Sequence, residues 1–179
     1  MGGAPARAVG ISLWLAPGGA SRERLARLIA DLGRRLGTPV FEPHVTLLAG
    51  LTLDESRVRA SSRDLARRIP PLPLVFDGLD GTDEYFRALF APVRETVEML
   101  AAHERAREAF GRQAESPFRP HLSLAYGQLP PATRESLAAE LGADMPEGLV
   151  AERLEVVRTE GPPGDWRRLD SLKLGPGAR

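Results

Sequence analysis

The octamer PHVTLLAG at residues 43–50 recurs almost unchanged as PHLSLAYG at residues 120–127. A fold must accommodate both copies in the same way. In an extended strand, residues i and i+2 share a face. His44 and Thr46 therefore project together, as do His121 and Ser123. Val45, Leu47, Leu122 and Leu124 take the opposite, apolar side. Two of the chain's three histidines lie in these octamers, 77 residues apart in a chain of 179. That spacing predicts an ancient duplication, with two similar lobes facing each other.

The rest of the chain supplies strands and helices around the octamers. VGISLWL (9–15) reads as a strand with Val9, Ile11, Leu13 and Leu15 on one face and Ser12 and Trp14 on the other. Ser21 is the expected cap of a helix over 21–36, where leucines recur at helical spacing and Gly37 follows. A strand over 41–48 precedes a helix from Asp54 to Ile69. Residues 72–79 and 84–91 read as two strands joined by the turn DGTDE. A helix over 93–110, a strand over 118–126, a helix from Pro131 to Leu141, and strands over 149–158 and 166–174 complete the order. Mixed strands and helices without strict βαβ alternation predict an α+β fold with mainly antiparallel sheets. No long linker or low-complexity segment separates the halves, so residues 1–179 are expected to form one bilobal domain.

Composition narrows the function. A formal net charge of zero argues against a protein built to grip long nucleic acid, so no stable nucleic-acid complex is expected. The 23 arginines against one lysine reflect the same bias as the abundant Ala, Gly and Pro. The absence of Cys excludes disulfides, thiol nucleophiles and Cys-ligated metals. No apolar run approaches the length of a membrane span, and MGGAPARAVG does not read as a signal peptide. A cytoplasmic, monomeric protein is expected.

Two imidazoles and two hydroxyls converging on one cleft suit the cleavage of a phosphodiester. In-line attack needs a base on one side of phosphorus and an acid on the other, and histidine serves as either. Thr46 and Ser123 can donate to the non-bridging oxygens. Two histidines without a carboxylate cluster make a poor metal site, so neither metal nor cofactor is expected. The third histidine, His103 in LAAHERAREAF, reads as solvated on the outer face of a helix.

These motifs, together with ISLWLAP, FEPHVTLLAG, YFRALF and PFRPHLSLAYG, make the chain resemble the two-histidine phosphoesterase superfamily, and within it the plant-type cyclic phosphodiesterases. The resemblance implies two antiparallel β-sheets facing a central cleft, helices outside, and a pseudo-twofold duplication. It implies hydrolysis of nucleoside 2′,3′-cyclic phosphates, or of ADP-ribose 1″,2″-cyclic phosphate to the 1″-phosphate. By that likeness His44 and His121 are the acid–base pair, and Thr46, Ser123 and Tyr126 bind phosphate. Strict alternation would put Tyr126 opposite His121, so its role requires the strand to twist or end there.

Four further residues are candidates from their setting. Trp14, Tyr85 and Phe86 could stack a base or cover the cleft, or simply pack in the core. Arg119 shares parity with His121 and could meet a second phosphate or pair with an acid on the rim. Two rival functions stand beside the small-nucleotide reading. One is an RNA end-processing 2′,3′-cyclic phosphodiesterase of the ligase-like group, which tends to carry Thr in both motifs and Arg after the second. The other is a non-catalytic nucleotide-binding module.

Overall fold

The computed structural model describes residues 8–113 and 117–175. Seven strands and four helices follow in the order β1 (Ile11–Pro17), α1 (Gly19–Leu36), β2 (Val45–Leu51), α2 (Glu55–Arg68), β3 (Leu72–Val75), β4 (Leu89–Pro92), α3 (Val97–Ala109), β5 (His121–Ala125), α4 (Pro131–Gly142), β6 (Gly148–Arg158) and β7 (Arg167–Lys173). All registered strand pairs are antiparallel. The class is α+β, as the mixed element order predicts.

The two expected sheets are halves of one seven-stranded sheet, ordered β3-β6-β1-β2-β5-β4, with β7 sharing an edge of the long strand β6. The halves meet where the octamers lie side by side, through the single registered pair Val45–Leu122. The sheet curls until its outer edges touch at the Phe76–Val93 bridge. There the Asp77 N–H donates to the Pro92 carbonyl at 2.9 Å, and the Arg94 N–H to the Val75 carbonyl at 2.8 Å.

The expected 72–91 hairpin survives only as two isolated antiparallel bridges, Phe76–Val93 and Asp80–Phe90, and its strands do not form a continuous ladder. Strands β3 and β4 sit at opposite ends of the sheet. At the DGTDE segment Asp80 and Phe90 exchange both backbone hydrogen bonds at 2.9 Å and the Thr82 N–H donates to the Arg87 carbonyl at 2.9 Å, while side chains hold the tip of the turn. Thr82 Oγ1 donates to the Arg87 carbonyl at 3.0 Å and accepts from the Glu84 N–H at 3.2 Å. Asp80 accepts from the Gly81 N–H at 2.7 Å. Residues Tyr85–Arg87 consequently form a 3₁₀ turn and only Leu89–Pro92 remains extended.

Helix boundaries follow their caps. Asp54 accepts from the Ser56 and Arg57 N–H groups and starts α2 as expected. Thr96 accepts from the Met99 N–H at 3.2 Å, which starts α3 four residues later than hydrophobic spacing alone indicates. Helix α1 begins two residues before the expected Ser21 cap and ends at Gly37, whose φ of 66° is left-handed. Helices α1, α2 and α3 pack against strands and close one face of the sheet. The apolar side of each octamer enters this core, where Val45, Leu47, Leu122 and Leu124 are fully buried. Among the described residues, no helix is long and apolar enough to cross a membrane.

Candidate active site

With Val45, Leu47, Leu122 and Leu124 turned inward, the alternate residues of β2 and β5 face a cleft of about 230 Å³. His44, Thr46, His121 and Ser123 all line it. Strand β1 adds Ser12 and Trp14, because Trp14 stands opposite Thr46 in the ladder. The parity argument thus brings together all four residues that it singled out.

The two imidazoles are held by the same local device. His44 Nδ1 lies 2.6 Å from the Glu42 carbonyl, and His121 Nδ1 lies 2.8 Å from the Arg119 carbonyl. A carbonyl oxygen only accepts, so Nδ1 carries the proton and Nε2 keeps its lone pair. A proline, Pro43 or Pro120, separates acceptor from ring in each copy. Its fixed φ and the extended conformation it imposes on the preceding residue hold that carbonyl in place. This explains why the repeat includes proline as well as histidine.

The surroundings of the rings differ. His44 is 6% exposed and stacks on Trp14, with ring centroids 3.6 Å apart and planes 9° from parallel. Burial lowers its pKa from 6.5 to about 4; the hydrogen bond to the Glu42 carbonyl opposes this, and repulsion from His121 adds to it. His121 is partly exposed and meets Phe90 edge-on at 5.3 Å. Its pKa is also lowered, first by burial and further by the Arg87 charge, against the Arg119 carbonyl and Glu84. Both rings are therefore neutral at pH 7 in the unliganded protein. A bound phosphate anion would favour protonation of one of them.

Ser123 Oγ donates to the Phe86 carbonyl at 2.8 Å. Tyr126 reaches the cleft because β5 ends at Ala125, which releases it from strand parity. Its ring stacks on Phe41 at 3.7 Å. Burial pushes the phenol pKa far up, against a hydrogen bond with Ser123, so it stays a neutral hydroxyl.

The other candidates separate. Phe86 lines the cleft. Trp14 does too, but His44 occupies one face of its indole and only 5% of the residue is exposed. It cradles the imidazole and offers no open face for a base. Tyr85 packs against Phe86 and Tyr126 behind the cleft wall. The Arg119 side chain lines a neighbouring groove. His103 is not a solvated ring, because its Nδ1 bonds the Leu47 carbonyl at 2.8 Å and Phe118 stacks on it at 3.8 Å.

Two cleft residues escaped the periodic patterns. Trp166 arrives from the loop after β6 and sits 5.8 Å from Phe86, and no local motif signals it. Arg87 enters from the 3₁₀ turn with 18% of its side chain exposed. Its guanidinium lies 4.8 Å from the Phe90 ring centre and 3.5 Å from the largely exposed Glu84. Its buried Nε has no hydrogen-bond partner among the described residues. The available signal was a lone arginine inside the apolar stretch YFRALF. Among the described residues, no three of His, Cys, Asp or Glu converge to hold a metal ion.

A curled antiparallel sheet carrying paired His-x-Thr/Ser motifs is the LigT-like fold. Apo LigT of E. coli superposes with a TM-score of 0.63 at 15% identity, covering 96% of this chain and 100% of that one. TT0787 of Thermus thermophilus gives 0.61 at 21% identity, with the same coverage. These likenesses establish the fold alone. The chain belongs to the cyclic phosphodiesterase-like protein family, whose sequence profile matches residues 9–174. It is also 25% identical to a cyclic phosphodiesterase of Arabidopsis thaliana over 118 residues, which are 66% of this chain and 65% of that protein. The match thus spans just under two thirds of the relative's length.

Proposed function

We propose that this chain is a metal-independent phosphodiesterase that hydrolyses small nucleotide cyclic phosphates, with a nucleoside 2′,3′-cyclic phosphate or ADP-ribose 1″,2″-cyclic phosphate as substrate. The observation that carries the reading is the pair of imidazoles at the N-terminal ends of neighbouring strands, each with Nδ1 tied to the carbonyl two residues back and Nε2 left as the reactive nitrogen. One Nε2 takes a proton from water as its oxygen bonds to phosphorus. The other imidazole, protonated in the substrate complex, gives its proton to the ribose oxygen that departs. The product is a phosphomonoester with one free ribose hydroxyl. Thr46, Ser123 and Tyr126 supply hydroxyl donors to the phosphate, and Arg87 supplies a guanidinium next to His121. Serine must exchange its bond to the Phe86 carbonyl for one to phosphate.

The test is turnover in EDTA of uridine 2′,3′-cyclic phosphate, ADP-ribose cyclic phosphate and an RNA ending in a cyclic phosphate, with ³¹P NMR identifying the product. Faster hydrolysis of the two small substrates than of the RNA is expected. Preference for the RNA would replace this reading with RNA end processing, and tight binding without turnover would replace it with a binding module.

A second expectation concerns Arg87. Arg87→Gln removes a charge-assisted contact, raising KM for cyclic phosphate about tenfold. It also raises the pKa of His121, because the cation that opposes its protonation is gone. Steady-state kinetics and NMR titration of the His121 ring measure the two effects. Arg87→Lys keeps the charge without the planar fork and should restore the His121 titration more fully than the KM. An unchanged titration in Arg87→Gln would remove Arg87 from the site.

A further inference from the structure

The catalytic cleft, at about 230 Å³, is smaller than the roughly 300–1,000 Å³ of sites that bury most of a small ligand. A larger groove of about 730 Å³ adjoins it, and Thr46, Ala49 and His121 line both. A nucleotide whose phosphate lies between the histidines therefore sits at the border of this groove, which runs beside β2 and α3. The groove is rich in cations. Arg107, Arg112 and Arg119 line it against one described carboxylate, Glu104, which pairs with Arg107 at 2.5 Å. Arg107 Nε is buried without a hydrogen-bond partner among the described residues. Arg112 is anchored to the Gly50 carbonyl at 3.2 Å. Arg119 is exposed at the lip, and its side chain has no acidic partner among the described residues. The stacked His103–Phe118 pair gives the groove a flat, rigid wall, since His103 is fixed by the Leu47 carbonyl.

Taking the proposed cyclic phosphodiesterase activity as given, we infer that this groove is a subsite for a further phosphate of the substrate. The preferred substrate then carries at least one phosphate beyond the reacting diester. Guanidinium groups favour this occupant because their forked donors match phosphate oxygens. The reacting ring stays the same in both substrate types, so the groove acts on their relative rates.

The test compares kcat/KM for uridine 2′,3′-cyclic phosphate with and without a 5′-phosphate, in wild type and in Arg119→Glu. The phosphorylated substrate should be favoured about tenfold by the wild type at low ionic strength, with the preference shrinking at high salt. Arg119→Glu should abolish or reverse it. The ratio isolates the groove, because any disturbance of the His121 anchor affects both substrates alike. A dinucleotide ending in the same cyclic phosphate distinguishes the source: whichever phosphorylated substrate shows the larger Arg119-dependent gain carries the natural extension. Equal kcat/KM in wild type, or a preference that survives Arg119→Glu, overturns the subsite and leaves the cyclic phosphodiesterase reading intact. Failure to turn over any of the three overturns both.

Discussion

If the proposed acid–base roles hold, His44→Ala and His121→Ala should each lower kcat on a cyclic phosphate by about 10²–10⁴-fold, the usual worth of a positioned proton donor or acceptor. The two variants should differ in stability. His121 is partly exposed and touches Phe90 only edge-on, so its loss leaves the fold nearly unchanged. His44 fills the space over Trp14, and its truncation opens a cavity costing on the order of a few kcal/mol. His44→Gln fills most of that space and cannot exchange protons near neutrality, which separates chemistry from packing. The double variant should be little worse than either single one, because acid and base act in one step. Circular dichroism melts beside steady-state assays measure both quantities. A folded His121→Ala enzyme within a few-fold of wild type would remove His121 from the chemistry. Nucleotide affinity should survive in these variants, and its loss in step with activity would point to a binding role.

Acid should destabilise the protein by about 3 kcal/mol between pH 6.5 and 4 through His44 alone, the value of a depression from 6.5 to about 4. The folded state keeps His44 neutral, while the unfolded chain takes up a proton as pH falls below 6.5. Stability from this residue is complete above that value and declines until the folded pKa is reached. His121 adds to the decline in the same direction. Asp54 and Glu140, both held below the ordinary carboxylate range by hydrogen bonds, lose their contributions at lower pH still. Urea unfolding from pH 7 to 4 measures the slope. In His44→Gln the slope should be markedly shallower; identical slopes would mean that His44 is not neutral inside the fold.

What could be read along the chain was whatever depends on neighbours two to four residues away. The alternation in PHVTLLAG and PHLSLAYG separates His44, Thr46, His121 and Ser123 from the buried Val45, Leu47, Leu122 and Leu124. The Asp54 cap is equally local. What depends on distant partners was hidden. The apolar run at 72–79 does not reveal that β3 pairs with β6, some 75 residues on. Helical spacing shows His103 on an outer face, and only the tertiary fold brings Phe118 and the Leu47 carbonyl against it. Trp166 and Arg87 reach the cleft from a loop and a 3₁₀ turn, where no period exists to mark them. Tyr126 could be placed only once the end of β5 was known.

The short His-to-carbonyl tether, spanning one proline, divides responsibility for the site. Ring orientation and tautomer are specified within a tripeptide, Glu42-Pro43-His44 or Arg119-Pro120-His121, and travel with it. Separation of the rings belongs to the sheet, through the Val45–Leu122 seam. Substitutions far from the cleft thus act as changes of gap width, leaving proton placement on each ring intact. Replacing Pro43 or Pro120 does the reverse: it lets a ring swivel at unchanged spacing. The two kinds of damage are separable because one lives in the tertiary structure and the other in three consecutive residues.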